Sequence, residues 1–155
     1  MWLLFVVAGI VVVVDRITKY LVDAHLAGRL PVKVVPGVLQ LTHTTNTGGA
    51  FGLSSGTPWV FGIASIAIAV VIVATAGRVT TDLQGVGFGL VLGGAVGNLI
   101  DRLVGGINFS GKVVDFIDFR VWPVFNLADS AVVVGMILLI VGYAKKDRGA
   151  READG

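Results

Sequence analysis

Long apolar runs separated by short polar breaks dominate this chain. Four of them, at about residues 2–22, 58–76, 85–103 and 128–144, approach the roughly 20 residues that a helix needs to cross a bilayer core. They are rich in Val, Ile and Leu. β-branched residues lower helix propensity in water. In lipid, however, the backbone must satisfy its own hydrogen bonds, and a helix does so within one segment. The pattern predicts an all-α membrane protein built as a four-transmembrane-helix bundle. The first run lacks a basic start and a clean small-x-small cleavage site, so it reads as a retained span.

The polar segments differ in kind. Residues 23–57 are long for a mere connection. Pro31 and Pro36-Gly37 punctuate them, and Leu39-Gln40-Leu41-Thr42-His43-Thr44 alternates, which reads as two short strands and a turn. The bundle is therefore expected to carry a small extracytoplasmic β-rich cradle. After it, Asn46-Thr47-Gly48-Gly49-Ala50-Phe51-Gly52 is a small-residue loop where backbone can approach a ligand or another segment. Residues 104–127 read as an outer loop. No internal repeat or separate soluble domain interrupts residues 1–155, which form a single integral membrane domain.

Composition strengthens this picture. The chain is 55% hydrophobic and only 14% charged, against about 25% charged in a typical soluble domain. The mean hydropathy is +0.88. A net charge of +2 does not point to nucleic acid, because no aromatic-basic platform accompanies the scattered basic residues. There are no cysteines, which excludes disulfides, thiolate nucleophiles and cysteine-bound zinc. His25 and His43 have no partners at metal-ligand spacing and read as ordinary outer-segment residues. No P-loop, dinucleotide fingerprint, HExxH or GxSxG occurs, so neither metal nor cofactor is expected.

Four spans would put both termini on one side. The tail with Lys145, Lys146, Arg148 and Arg151, together with Arg78, reads as cytoplasmic. Arg29, Lys33, Lys112 and Arg120 stand on the other side, so the charge count alone decides little.

Candidate chemistry is confined to a few polar positions. Asp15 and Lys19, four apart, share a helix face and can pair. Asn98, Asp101 and Arg102 share another face. Ionisable groups within spans usually face the bundle interior. Here the pairs Asp15–Lys19 and Asp101–Arg102 read as structural supports beneath a site. Gly89, Gly93 and Gly97 recur every four residues, a stripe that lets another helix pack closely.

The stretch Val113–Ser130 holds three aspartates, Asp115, Asp118 and Asp129. Asp115 and Asp129 are 14 residues apart, and a reversal at Trp122-Pro123 could bring them together. Two adjacent carboxylates share a proton, so that one activates water while the other donates to a carbonyl. That chemistry is peptide hydrolysis without a metal or a covalent intermediate. Asp129 also has a structural reading, which spacing alone favours: Asn126-Leu-Ala-Asp129 has the spacing of a capping box. As a solvated loop acid, Asp115 would sit oddly among Val113, Val114, Phe116 and Ile117. That reading suits Asp118, near Arg120, better. Two other function classes compete. One is a transporter or proton relay using Asp15, Asp101 and Asp129; the other is a non-catalytic assembly factor whose polar blocks only hold helices together.

Five blocks in order resemble the lipoprotein signal peptidase (signal peptidase II) family: Asp15-Arg-Ile-Thr-Lys19, Asn46-Thr-Gly-Gly-Ala-Phe-Gly52, Gly93-Gly-Ala-Val-Gly-Asn98-Leu-Ile-Asp101-Arg102, Val113-Val-Asp115-Phe, and Phe125-Asn126-Leu-Ala-Asp129-Ser130. The resemblance implies an aspartic endopeptidase of the bacterial inner membrane. Such an enzyme removes the signal peptide from prolipoproteins, cutting before a diacylglyceryl-modified cysteine. It implies Asp115 and Asp129 as the catalytic dyad, with Asp15, Asn46, Asn98, Arg102 and Asn126 lining or supporting the site. It also implies membrane lipid as a partner, an active site at the extracytoplasmic face and inhibition by globomycin. The chain departs from the family pattern at Gly48-Gly49-Ala50-Phe51, where Gly-Ala-Ala-Phe is usual. Asp118 has no assured counterpart.

Overall fold

A computed structural model of the chain describes residues 1–47, 58–104 and 111–153, with side chains in the last helix described to Ala144. The loop at Gly48–Gly52 and the side chains of the basic tail lie outside the described residues. Four long helices and three strands follow in the order α1 (Trp2–Leu26), β1 (Val32–Val35), β2 (Leu39–Asn46), α2 (Pro58–Thr75), α3 (Asp82–Val104), β3 (Val113–Asp118) and α4 (Leu127–Ala153). A 3-10 turn, Ala76–Arg78, follows the end of α2.

The helices follow the apolar runs. Three of them, at Trp59–Arg78, Asp82–Val104 and Leu127–Ala144, are long and apolar enough to cross a membrane. The first helix, α1, has 25 residues, but its C-terminal half carries Asp15, Arg16, Lys19 and Asp23. Asp15 and Lys19 are buried. The outer faces are apolar: Ile10, Val70 and Ile140 are each more than half exposed. An apolar exterior on this scale suits lipid and not water.

At the centre lies α3, between α1 and α4. Its glycines make both contacts possible. A methyl group on Gly93 would lie 2.8 Å from the Ala8 carbonyl oxygen of α1. One on the adjacent Gly94 would lie 2.7 Å from Val132 Cγ2 of α4 and closer still to the Ala128 carbonyl. The stripe expected from Gly89, Gly93 and Gly97 thus packs α1, and the neighbouring glycines seat α4. Leu4, Ala8, Val91, Leu92 and Leu139 fill the core between these helices.

The sheet is antiparallel, in the order β1-β2-β3. Its first two strands match the expected hairpin. Pro36-Gly37 makes the turn, with Gly37 at φ +80 and Val38 N–H donating to the Val35 carbonyl at 3.0 Å. A type II turn asks for these residues, with proline first and a positive-φ residue second. The third strand corrects the sequence reading, which left residues 104–127 as an outer loop. Val113–Asp118 pairs with β2 in the register Thr44↔Asp115 and Asn46↔Val113. The chain then reverses, and Phe125 exchanges backbone hydrogen bonds with Ile117. This return past Trp122-Pro123 delivers Asn126 and the start of α4 to the buried face of β3.

Candidate active site

β3 carries Asp115 into the interior, where it is 2% exposed. The β2–β3 register sets Asn46 diagonally across from it, close enough for a long polar side chain to reach. Asn46 Nδ2 donates to Asp115 Oδ2 at 3.0 Å. The other carboxylate oxygen accepts from Asn126 Nδ2 at 2.6 Å.

Asn126 is fully buried at the N-terminus of α4. Its Oδ1 accepts the Asp129 N–H at 2.9 Å, and its own backbone N–H donates to Asp129 Oδ2 at 3.2 Å. This reciprocal pair is the capping box that the spacing suggested. The cap is also a bridge, because one asparagine binds both aspartates. Asp129 Oδ1 accepts a further bond from Asn98 Nδ2 at 2.7 Å. Asp129 therefore occupies the first turn of α4, where the helix dipole favours a negative charge.

Burial pushes the Asp115 carboxyl up to about 6. The charge of Asp129 pushes in the same direction, and the Asn46 and Asn126 amides and Lys19 pull part of the way back. Asp115 thus holds a proton more tightly than an ordinary aspartate.

Beneath the aspartates lies a network between α1 and α3. Lys19, 2% exposed, contacts Asp15 Oδ2 at 2.8 Å, Asp101 Oδ2 at 2.7 Å and Asn98 Oδ1 at 3.0 Å. Arg16 bonds Asp101 as well. Asp15 Oδ1 accepts the Ala128 N–H at 3.2 Å, so α1 helps to cap α4. Gly97 gives that carboxylate room, since a methyl there would lie 2.8 Å from Asp15 Oδ2. The expected Asp15–Lys19 pair is present. The expected Asp101–Arg102 pairing is corrected. Asp101 turns to Arg16 and Lys19 on α1, while the Arg102 head donates to the Asn98 carbonyl at 3.0 Å and lies 5.7 Å from the Phe61 ring centroid. Asp129, Asp101 and Asp115 are close enough for their charges to act on the Arg102 guanidinium. Arg102 therefore supplies positive charge beside the two aspartates.

Asp118 sits apart. At the outer end of β3 it accepts from Gln40 Nε2 at 2.6 Å and from the Arg120 backbone N–H at 2.7 Å. His43 contacts Asp23 at 2.7 Å, and His25 Nδ1 contacts the Leu21 carbonyl at 2.9 Å. Among the described residues no group of His, Cys, Asp or Glu is arranged to hold a metal ion. Beside Asp129 lies an open cavity of about 440 Å³ with walls of Phe119, Trp122, Phe125 and Val133. Two of its rings, Phe119 and Phe125, stack at 5.9 Å. The arrangement sets two aspartates, bridged by Asn126, beside an apolar groove.

The sequence reading placed Lys19 only in a pair with Asp15 and gave Arg16 no contact. Their signal was present in the sequence: three charges at i, i+1 and i+4 in an apolar helix need more partners than each other.

Comparisons with known proteins agree with this architecture. A family profile described as signal peptidase (SPase) II matches residues 7–145. The lipoprotein signal peptidase of Desulfitobacterium hafniense is 40% identical over 155 residues, covering 98% of this chain and 99% of its own. That of Syntrophomonas wolfei is 44% identical over 133 residues, covering 85% and 86% respectively. A solved bacterial membrane enzyme superimposes with a TM-score of 0.78 at 33% identity, covering 93% of this chain and 88% of that one. With the profile spanning most of the chain and full-length relatives at this identity, the protein belongs to the signal peptidase II family.

Proposed function

We propose that this protein is an aspartic endopeptidase that removes the signal peptide from bacterial prolipoproteins, cutting before the diacylglyceryl-modified cysteine. One observation carries the reading. Asn126 binds both Asp115 and Asp129 beside an apolar groove, and burial and the Asp129 charge raise the Asp115 carboxyl to about 6, so that it takes up a proton more readily than an ordinary aspartate. Family membership supports the substrate class.

In this reading the protonated Asp115 donates a hydrogen bond to the scissile carbonyl oxygen. Asp129, as the carboxylate, takes a proton from a water molecule whose oxygen attacks the carbonyl carbon. Asp115 passes its proton to the developing oxyanion, giving a neutral tetrahedral diol. Asp129 then protonates the leaving nitrogen. Asp115 recovers a proton from a diol hydroxyl as the C–N bond breaks. Asn46, Asn98 and Asn126 hold the carboxylates in place, Arg102 offsets the negative charge, and Asp15 fixes the start of α4. No cofactor is required.

α1 serves as the fourth span, with Asp15 and Lys19 buried against α3 and not facing lipid, as expected of ionisable groups at membrane depth. Both termini are cytoplasmic, and the site opens at the extracytoplasmic face of the bacterial inner membrane. There the substrate's acyl chains stay in lipid while its signal helix lies along the bundle. Globomycin is expected to compete for the groove beside Asp129. The transporter reading lacks a file of acids across the helices: Asp15 and Asp101 meet on Lys19, and Asn98 links Lys19 to Asp129, all at one end of the bundle.

The test is purified protein in lipid with a diacylglyceryl-modified prolipoprotein and its unmodified precursor. Cleavage of the modified form alone, at the bond before the cysteine, is expected. Equal cleavage of both, or of neither, contradicts the reading.

A further inference from the structure

We infer that Lys19 is a positioning residue: it fixes which way the Asn98 amide points, and so supplies the hydrogen-bond donor that holds Asp129. The inference rests on the aspartic-peptidase reading above.

An asparagine side chain has a donor end and an acceptor end of nearly equal shape, and its neighbours decide which end goes where. The Lys19 ammonium only donates, so the end of Asn98 facing it at 3.0 Å must be Oδ1. Asn126 Nδ2, 3.1 Å from the same oxygen, adds a second donor there. The amide end is thereby directed to Asp129 Oδ1 at 2.7 Å. The ammonium is itself held by Asp15 at 2.8 Å and Asp101 at 2.7 Å, and Arg16 adds a further bond to Asp101. The charged groups around Asn98 are thus Asp15 and Lys19 on α1, Asp101 and Arg102 on α3, Asp115 on β3 and Asp129 on α4. Lys19 is a donor by its own chemistry, whereas Asn126 is a donor here because its Oδ1 is taken by the Asp129 N–H; the two support the same orientation of Asn98, and Lys19 brings the charge.

Lys19 touches neither aspartate of the dyad in a hydrogen bond. Its effect on Asp129 runs through one amide, with consequences that differ from those of a purely structural ion pair. Lys19→Met removes the charged donor that anchors Asn98 Oδ1, leaving one neutral amide, that of Asn126, to hold Asn98 in place for Asp129. Asn98→Asp is the sharper variant. It gives Lys19 a better acceptor and preserves the network beneath, but it sets a carboxylate against Asp129. Protonation of that new carboxyl would restore an O–H donor where the amide N–H had been.

The experiment compares wild type, Lys19→Met, Asn98→Asp and Asp118→Asn for cleavage of the modified prolipoprotein between pH 5 and 8, with thermal unfolding of each. Lys19→Met is expected to lower kcat about 100-fold, the loss typical of one missing preorganised donor, with little change in KM. Asn98→Asp is expected to remain folded, to lose activity to a similar extent at neutral pH and to recover part of it as the pH falls. Wild-type kcat in Lys19→Met, or full activity of Asn98→Asp at neutral pH without a shifted pH profile, overturns the inference. If Lys19→Met fails to fold, Asn98→Asp decides alone. Failure of wild type to cleave would count against the function reading instead, because the positioning claim concerns only differences between active proteins.

Discussion

The two ends of β3 carry the same side chain in opposite circumstances. Asp115 is buried between two asparagine amides and a second aspartate, and its carboxyl is pushed up to about 6. Asp118, three residues on, faces Gln40 and the Arg120 backbone at the protein surface. The strand is common to both, so the difference comes from what packs on it. The returning chain at Phe125 covers the Asp115 end and brings α4 with it, while the other end stays open. A carboxylate placed where water is excluded, next to another negative charge, binds its proton more tightly than one in water.

The largest effect that tests this contrast is at the second aspartate. Asp129→Asn is expected to reduce cleavage by about 1000-fold or more, since residues acting as one unit fail together. Its capping role survives in part, because asparagine can still accept the Asn126 N–H. A cleavage time course against a lipidated precursor measures this. Next is the bridge. Asn126→Ala removes the cap of α4 and one of the Asp115 donors, and should cost about 2–4 kcal/mol of stability along with about 100-fold in rate. Denaturant unfolding in detergent and steady-state kinetics check the two parts separately.

A smaller effect is thermodynamic. Because the folded protein binds the Asp115 proton more tightly than the unfolded chain, its contribution to stability is fully present below about pH 4 and is lost as pH rises through about 6. The loss is of order 3 kcal/mol. Unfolding measured across this window should show it, and Asp115→Asn, which is neutral throughout, should remove it. The smallest effect is at the other end of the strand: Asp118→Asn should change cleavage by less than about twofold, as expected of a half-buried group bonded to Gln40 and the Arg120 N–H and not to the two other aspartates. A large loss there would break the contrast between the two ends.

Much of the fold was legible in the sequence because lipid imposes a simple rule. A run of apolar residues long enough to span must become a helix, and the boundaries of α2 and α3 and the start of α4 follow those runs, while α4 continues past its run to Ala153. The hairpin was legible from Pro36-Gly37 and the alternation after it. β3 was not, because Val113–Asp118 is buried at Val113, Asp115 and Phe116 without a clean period of two, and its partner lies more than 60 residues earlier. The site was half legible. The capping spacing of Asn126 and Asp129 gave one structural role correctly, while the second job of Asn126 as donor to Asp115 needs the reversal at Trp122-Pro123. The pairing of Asp101 with Arg102 was misread because neighbours on one helix were assumed to serve each other. In the bundle their contacts part: Asp101 meets Lys19 and Arg16 of α1, while Arg102 bonds the Asn98 carbonyl and lies over the Phe61 ring of α2. Charges in an apolar segment are matched across helices as readily as along them.

The claim at the centre of this account is that Asp115 reacts and does not hold the fold together. Cleavage and thermal unfolding of Asp115→Asn, measured side by side above pH 6, test it directly. The account predicts a protein that no longer cleaves the lipidated precursor yet unfolds at a temperature equal to or above that of wild type, because a neutral amide relieves the cost of a buried charge. Retained cleavage, or lost cleavage accompanied by a clear fall in the unfolding temperature, would contradict it.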